Sequence, residues 1–108
     1  MKILFVCSRN KWRSRTAETV FKNNGLHQVK SAGTENNARI RLTQNLLNWA
    51  DLIYVMERKH KEKVLDRFNM KRLNERIEIL DIEDDYKYMD EELVEILKLK
   101  LNDIFSNG

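Results

Sequence analysis

The sequence predicts an α/β protein, a three-layer sandwich in which a four-stranded parallel sheet lies between helices. Two observations lead to this fold class. Short β-rich runs alternate with amphipathic helical segments, which is typical of parallel strands joined by right-handed crossovers. In addition, residues 52–56 form an uninterrupted apolar run, the pattern of a strand that is covered on both faces. At 108 residues the chain has the length of one domain, and we expect residues 1–108 to form it.

Four strands and four helices are predicted, and they alternate along the chain. The strands, chosen for their apolar and β-branched residues, are 2–6, 27–32, 52–56 and 76–80. The helices, chosen for apolar residues at helical spacing, are 14–24, 44–50, 57–68 and 90–105. Ligands of such sheets bind beyond the carboxyl ends of the strands. We therefore expect the functional site where the loops after the first, third and fourth strands meet.

Each predicted helix has a recognisable boundary or apolar face. Gly25 is expected to end the first helix as its C′ residue, and Thr43 is expected to cap the second. The third helix has apolar residues on one side and charged residues on the other. The last helix begins with three acidic residues, at the end where the helix dipole favours negative charge, and continues with an apolar stripe.

The composition excludes several classes of protein. With 42% hydrophobic and 34% charged residues, the chain is expected to be globular and not disordered. No apolar run approaches the roughly 20 residues of a membrane span, and the amino-terminal run lacks a small-residue cleavage site. We therefore expect a cytoplasmic protein with no membrane partner. The single cysteine, Cys7, excludes an internal disulfide framework and a cysteine-based metal cluster, and no metal or cofactor is predicted.

The loop between the first strand and the first helix carries the residues most suited to chemistry. It contains Cys7 and Arg13, separated by five residues. A helix amino terminus offers unpaired N–H groups and a partial positive charge, which can hold a phosphate and stabilise a thiolate nucleophile. The five residues can wrap into a nest of N–H groups, and the guanidinium can grip two phosphate oxygens. By residue type alone, Cys7 is equally a small buried hydrophobe, and Ser14 is equally a helix cap.

The same loop, Cys7-Ser8-Arg9-Asn10-Lys11-Trp12-Arg13-Ser14, resembles the signature loop of low-molecular-weight protein tyrosine phosphatases. Further stretches resemble this family in order and spacing, and they are Thr16-Ala17-Glu18, Ser31-Ala32-Gly33-Thr34 and Ala50-Asp51-Leu52-Ile53-Tyr54-Val55-Met56-Glu57. Together these pieces cover most of the chain, which looks closest to a short bacterial branch of predicted tyrosine phosphatases. The resemblance implies the family's flavodoxin-like topology and the hydrolysis of phosphomonoesters, as a protein tyrosine phosphatase.

The resemblance also implies a role for each residue of the loop. Cys7 would attack phosphorus to form a cysteinyl-phosphate, Arg13 would bind the phosphate oxygens, and Ser14 would assist the sulfur. The other loop residues would line or brace the phosphate cradle, and they are Ser8, Arg9, Asn10, Lys11 and Trp12. The implied ligands are a phosphotyrosine protein or a small aryl phosphate, with inorganic phosphate, sulfate or vanadate bound in the loop.

The family's general acid is an aspartate in an Asp-Pro-Tyr motif after the fourth strand. The matching triplet in this sequence is Asp84-Asp85-Tyr86. Asp84 is therefore the expected general acid, with Asp81 and Asp85 as alternatives. Tyr86 is the expected aromatic contact to the substrate, although Tyr86 and Tyr88 could equally cap the edge of the core.

The sequence departs from the family's pattern at several positions. Arg9 stands where glycine is common, Arg15 and Asp85 stand where prolines are common, and Trp12 stands where many relatives have a second cysteine. Two other functions therefore stay open: phosphate or phosphotyrosine binding without turnover, and glutathione-type arsenate reduction. One cysteine excludes the internal thiol relay of thioredoxin-coupled arsenate reductases. Nucleic-acid binding is disfavoured because the net charge is only +3 and no stacking platform is recognisable.

Overall fold

A four-stranded sheet forms the centre of the computed structural model, which describes residues 1–106. The strands are β1 (Lys2–Cys7), β2 (Gln28–Gly33), β3 (Leu52–Val55) and β4 (Ile77–Ile79). Their order is β2-β1-β3-β4 and all three pairings are parallel. This confirms the predicted sheet, and every strand end lies within about one residue of its expected position.

Helices cover both faces of the sheet. They are α1 (Arg13–Phe21), α2 (Gln44–Trp49), α3 (Arg58–Arg67), α4 (Glu91–Lys100) and α5 (Asn102–Phe105). Helices α1, α4 and α5 pack with Ile3 and Phe5 of β1 on one face, whereas α2 and α3 pack with Leu4 and Val6 on the other. Because successive side chains of a strand point to opposite faces, β1, which is buried from Ile3 to Cys7, contributes to both cores. The predicted three-layer sandwich is confirmed.

The predicted last helix, residues 90–105, is interrupted at Leu101. This residue has φ −112° and ψ 12°, which lies outside the α-helical range, so α4 and α5 are separate helices and the prediction of one helix is wrong. Beyond the break, the ring of Phe105 stacks on that of Phe21 with centroids 4.1 Å apart. Burial of this aromatic pair offsets the helical hydrogen bonds that the break removes.

The first helix ends at Phe21 and not at residue 24 as predicted. The Asn24 side chain explains the early end, because its Nδ2 donates to the carbonyl of Phe21 while its Oδ1 accepts the N–H groups of Leu26 and His27. A side chain that bonds the backbone in this way competes with continued helix. Gly25 has φ +82°, as expected of a turn glycine, but it lies too far beyond Phe21 to be the C′ residue.

The loops that follow β1, β3 and β4 meet at one edge of the sheet. Backbone hydrogen bonds extend the strand pairing towards that edge, from Met56 N to Val6 O and from Ile82 N to Met56 O. This arrangement agrees with the predicted position of the functional site. Within residues 1–106, no helix has the length and apolar character needed to cross a membrane.

The close packing of β2 against the first loop gives a stability prediction. A Cβ atom on Gly33 would lie 2.6 Å from the carbonyl oxygen of Ser8 and 2.7 Å from Cβ of Ala38. We expect Gly33→Ala to lower the free energy of unfolding by about 2–3 kcal/mol in a urea titration, because the backbone of the loop must move. Gly25→Ala is the control: its Cβ meets nothing within 4 Å, so only the positive φ should cost stability, about 1 kcal/mol. Equal losses would contradict the assigned packing.

Candidate active site

The loop between β1 and α1 is held by its carbonyl oxygens. The carbonyls of Cys7, Ser8 and Arg9 accept the N–H groups of Thr34, Glu35 and Arg39, each at 2.9 Å. The side chain of Arg39 also donates through Nε to the carbonyl of Asn10 at 3.1 Å. The segment after β2, which the sequence indicated only as a connecting loop, therefore fixes the shape of the first loop.

The N–H groups of the same peptides remain free. In a trans peptide the N–H points away from the carbonyl, so these three peptides direct the N–H groups of residues 8–10 to the other side of the loop. The N–H groups of residues 8–12 make no hydrogen bond within residues 1–106. They lie beside a cavity of about 370 Å³. The cavity is lined by Cys7, Ser8, Arg9, Lys11, Trp12, Arg13, Glu35 and Asp84. Several unpaired N–H groups next to a helix amino terminus form an anion-binding nest.

Cys7 is buried at the base of this cavity with 3% of its surface exposed. Its Sγ lies 2.9 Å from Oγ of Ser14, and Oγ of Ser14 accepts a hydrogen bond of 2.7 Å from Nδ2 of Asn10. Because Asn10 donates to Ser14, the Ser14 hydroxyl hydrogen has two acceptors within reach, the sulfur at 2.9 Å and the carbonyl of Ala32 at 3.4 Å, and the sulfur is the nearer. Ser14 is the second residue of α1 and makes no cap, so its side chain serves the cysteine and not the start of the helix.

Arg13 reaches the cavity from the first position of α1 and is almost completely buried. Its Nη1 donates to Oε2 of Glu57 at 2.7 Å and to the carbonyl of Ile82 at 2.8 Å. One side-chain and one backbone acceptor thus fix one end of the guanidinium. Nη2 makes no hydrogen bond within residues 1–106, and Nε has only Oδ1 of Asp84 at 3.6 Å, which is beyond hydrogen-bond distance. The buried charge has a counterion in Glu57, as a buried cation requires.

Glu57 and His60 are site residues that the sequence analysis missed. Burial raises the pKa of Glu57, but the hydrogen bond and the charge of Arg13 outweigh it and hold the pKa below its ordinary value. His60 is fully buried, its Nε2 lies 2.9 Å from Oγ of Ser8, and its Nδ1 accepts the Glu57 N–H at 3.0 Å. Their position directly after β3, at the predicted edge of the sheet, was the signal that could have identified them.

Of the three candidate acids, the structure brings Asp84 to the cavity. Its Oδ1 lies 3.6 Å from Nε of Arg13 and its side chain lines the opening. Neither Asp81 nor Asp85 is among the lining residues. Asp81 has a left-handed backbone with φ +62°. The geometry therefore favours the predicted acid over its two neighbours.

The aromatic residues after Asp84 lie away from the cavity. Tyr86 packs against the hydrophobic core on the α1 and α4 face and does not line the opening. The hydroxyl of Tyr88 lies 2.8 Å from Oγ1 of Thr19, and the guanidinium of Arg15 lies over the Tyr88 ring at 4.3 Å from its centroid. Tyr88 therefore contacts α1, Tyr86 packs on the core, and neither tyrosine is among the residues that line the cavity.

The rim of the cavity is formed by Arg9, Lys11 and Trp12. All three are exposed, and 40% of the Trp12 surface is open to solvent. Asn10 between them has φ +57° and is fully buried, so it braces the loop while its side chain stays out of the cavity. Arg9 has no left-handed backbone. The residue that replaces the family's common glycine therefore requires no strained conformation.

The charges at the mouth of the cavity are unbalanced. Both lining carboxylates have a cationic partner: Glu35 pairs with Lys63 at 2.9 Å, and Asp84 lies beside the buried arginine. The Lys63 hydrogen bond and charge lower the pKa of Glu35. Arg9 and Lys11 have no carboxylate within 4.0 Å among residues 1–106. Neither rim cation forms an ion pair within the described residues, although the charge of Arg9 contributes to the lowered pKa of Glu35.

Sequence comparison relates this site to a known family. Residues 2–43 match the family model described as low molecular weight phosphotyrosine protein phosphatase. The matched stretch contains β1, the cavity loop, α1, β2 and the segment that holds the loop. A search of curated proteins gave no match.

Solved structures match the fold over nearly the whole chain. The tyrosine phosphatase Wzb from Escherichia coli K30, in complex with phosphate, superposes with a TM-score of 0.80 at 19% identity, covering 99% of this chain and 98% of Wzb. YwlE arginine phosphatase with a phosphorylated active-site serine gives 0.77 at 23% identity, covering 99% and 97%. A YwlE mutant from Bacillus subtilis gives 0.73 at 25% identity, covering 94% and 97%. The chain therefore has the low-molecular-weight phosphatase fold.

Proposed function

We propose that this chain hydrolyses phosphotyrosine or a related aryl phosphate. Its fold and its residues 2–43 are similar to those of the low-molecular-weight phosphotyrosine protein phosphatases. One observation carries the proposal. The only cysteine lies at the base of an anion-binding nest, with a hydroxyl 2.9 Å from its sulfur and an arginine and an aspartate in the wall of the same cavity. This combination supplies a nucleophile, an anion cradle and a proton donor.

The reaction has two steps. In the first, the Cys7 thiolate attacks phosphorus, so that an S–P bond forms while the P–O bond to the leaving group breaks, and protonated Asp84 gives its proton to the leaving oxygen. In the second, water attacks the cysteinyl-phosphate and gives a proton to the Asp84 carboxylate. The S–P bond then breaks, which releases inorganic phosphate and restores the thiolate.

The surrounding residues stabilise the charges that these steps create. The free N–H groups of residues 9–12 and the available donors of Arg13 bind the equatorial phosphate oxygens. Ser14 donates to the sulfur when it carries negative charge, and Asn10 keeps that hydroxyl in place. Because Cys7 has no second cysteine to reduce it if it is oxidised, the activity requires a reducing compartment, and we place the protein in the cytoplasm.

The mouth of the cavity supports an anionic substrate over a cationic one. A phosphorylated arginine would bring a guanidinium next to Arg9 and Lys11, where its charge would be repelled. A phosphotyrosine ring carries no charge, and it can contact Trp12 at the rim. Acidic residues that flank the phosphotyrosine would form ion pairs with Arg9 and Lys11. The preferred substrate is therefore a phosphotyrosine in an acidic sequence.

The first prediction concerns the nucleophile and the anion cradle. Wild-type protein should hydrolyse para-nitrophenyl phosphate between pH 5 and pH 7.5 and should be inhibited by vanadate. Cys7→Ser should abolish turnover, and Arg13→Ala should lower kcat by at least about 10²-fold because a transition-state donor is lost. Lys100→Ala, which removes an exposed cation at the end of α4, is the control. Binding of phosphate by a wild type that turns over no substrate would support the binding-module alternative, and arsenate reduction dependent on glutathione would support the reductase.

A second prediction separates the candidate acids. Asp84→Asn should slow phenyl phosphate, a poor leaving group, by about 10²-fold or more and para-nitrophenyl phosphate much less, because a good leaving group needs little protonation. It should also remove the alkaline limb of the pH–rate profile. Asp81→Asn and Asp85→Asn are the controls, and asparagine tolerates the left-handed backbone at position 81. If Asp84→Asn keeps the wild-type profile, the acid has been misassigned.

A third prediction concerns substrate charge. An acidic phosphotyrosine peptide should have a lower KM than the same peptide with lysines, and the difference should shrink as salt screens the charges. The double variant Arg9→Gln/Lys11→Gln should raise the KM of the acidic peptide about 5- to 10-fold and leave the lysine peptide nearly unchanged. A matched phosphoarginine peptide should be hydrolysed more slowly than either. Faster turnover of phosphoarginine would reverse the assigned specificity.

A further inference from the structure

His60 connects the third helix to the cavity loop through a neutral imidazole. Its Nδ1 lies 3.0 Å from the backbone N of Glu57 and must accept that hydrogen bond, because a backbone N–H only donates. A neutral imidazole has one donor nitrogen and one acceptor nitrogen. Nε2 therefore carries the hydrogen and donates to Oγ of Ser8, 2.9 Å away. The two contacts are compatible with a single tautomer.

This tautomer determines what the Ser8 hydroxyl can do. Since Oγ of Ser8 accepts from His60, its own hydrogen must point elsewhere, and the side chain makes no other hydrogen bond within residues 1–106. Ser8 lines the cavity next to Cys7. The hydroxyl hydrogen is therefore available to an oxygen atom of an anion held in the loop.

The surroundings of His60 keep the ring neutral. The side chain is fully buried, and the charged groups that face it are Arg13 of α1, Glu57 at the helix start, and Lys59 and Lys63 of α3. Burial, followed by the charge of Arg13, lowers the pKa of His60 to about 4, while the opposing effect of Glu57 is smaller. A proton on Nδ1 would face the Glu57 N–H and would break the link between the helix start and the ring.

We infer that His60 is a positioning residue that directs the Ser8 hydroxyl, as an additional hydrogen-bond donor, towards a phosphoryl oxygen bound in the cavity loop. The inference rests on the proposed phosphatase function for its role in turnover. Through the same ring, His60 also holds the backbone of Glu57, whose carboxylate fixes Arg13 at 2.7 Å. A single imidazole thus sets two of the groups that would contact the anion.

A double-mutant cycle tests this inference. Glutamine at position 60 can still accept the Glu57 N–H, as glutamine does at this position of a capping box, but it loses the contact with Ser8. We expect His60→Gln and Ser8→Ala each to lower kcat/KM for para-nitrophenyl phosphate about 10-fold, and the double variant to be no worse than the poorer single variant. Ser8→Thr, which keeps a hydroxyl, should retain most of the activity, and Glu62→Gln on the exposed side of α3 is the control.

A merely structural role would give a different pattern. The inference would be overturned if the two single effects multiplied in the double variant. It would also be overturned if Ser8→Ala kept the wild-type kcat/KM. Neither result would contradict the proposed hydrolysis. Binding of inorganic phosphate is also measured by calorimetry for the wild type, His60→Gln, Ser8→Ala and the double variant. We expect a similar non-additive loss of affinity. That measurement decides the role of His60 even if the wild type hydrolyses no substrate, in which case only the proposed function fails.

The acid dependence of stability tests the neutral tautomer separately. In the unfolded chain a histidine takes up a proton near pH 6.5, whereas folded His60 does so only near pH 4. The free energy of unfolding should therefore decrease as pH falls from 6.5 to 4, because the unfolded state binds more protons in this range. His60→Gln should show a smaller decrease in urea titrations, since the other groups are common to both proteins. The same decrease in both proteins would mean that His60 is not held neutral.

Discussion

The buried ion pair between Arg13 and Glu57 is the interaction on which the site depends. Arg13 exposes only 2% of its surface, and a guanidinium so far from water requires a counterion and further acceptors. Glu57 and the carbonyl of Ile82 supply them at 2.7 and 2.8 Å. These partners follow β3 and β4, whereas Arg13 begins α1. The pair therefore aligns three separate segments, and removing one partner of such a pair costs about 3–5 kcal/mol.

The cavity loop is shaped by the groups behind it as much as by its own sequence. The carbonyl oxygens of Cys7, Ser8 and Arg9 are all bonded to the segment after β2, so their peptides present N–H groups to the opposite side. No side chain of the loop has to create the anion-binding nest. This explains how Arg9 can replace glycine, because the left-handed residue of the loop is Asn10, a residue type that tolerates that conformation.

Charged groups at the centre of the site differ from those at its rim in whether they are paired. Carboxylates near the cavity are paired with arginine or lysine, while Arg9 and Lys11 at the rim form no ion pair within 4.0 Å of any carboxylate in the described part of the chain. The buried centre is thus electrically balanced, whereas the mouth attracts anions. Buried His60 does not disturb this balance, since its neutral ring joins Ser8 to Glu57 without adding charge beside Arg13.

Local sequence patterns were sufficient to predict the sheet, the three layers and the loop that contains Cys7, Arg13 and Ser14. Strand and helix periodicity, and the spacing of five residues between Cys7 and Arg13, are properties of neighbouring residues, and the sequence displays them directly. The same information could not separate Asp84 from Asp81 and Asp85, since all three lie in one acidic loop.

Only the tertiary structure decided which distant groups meet. The contacts of Arg13 with Glu57 and of Ser8 with His60 join residues 44 and 52 positions apart, and no periodicity specifies such pairs. The early end of α1, the break at Leu101 and the packing of Tyr86 on the core likewise follow from contacts with other elements. The sequence by itself therefore determined the fold and the cysteine loop, because both depend on local order. The positions of Asp84, Glu57 and His60 around that loop depended on long-range packing, which brings chain segments together across the edge of the sheet.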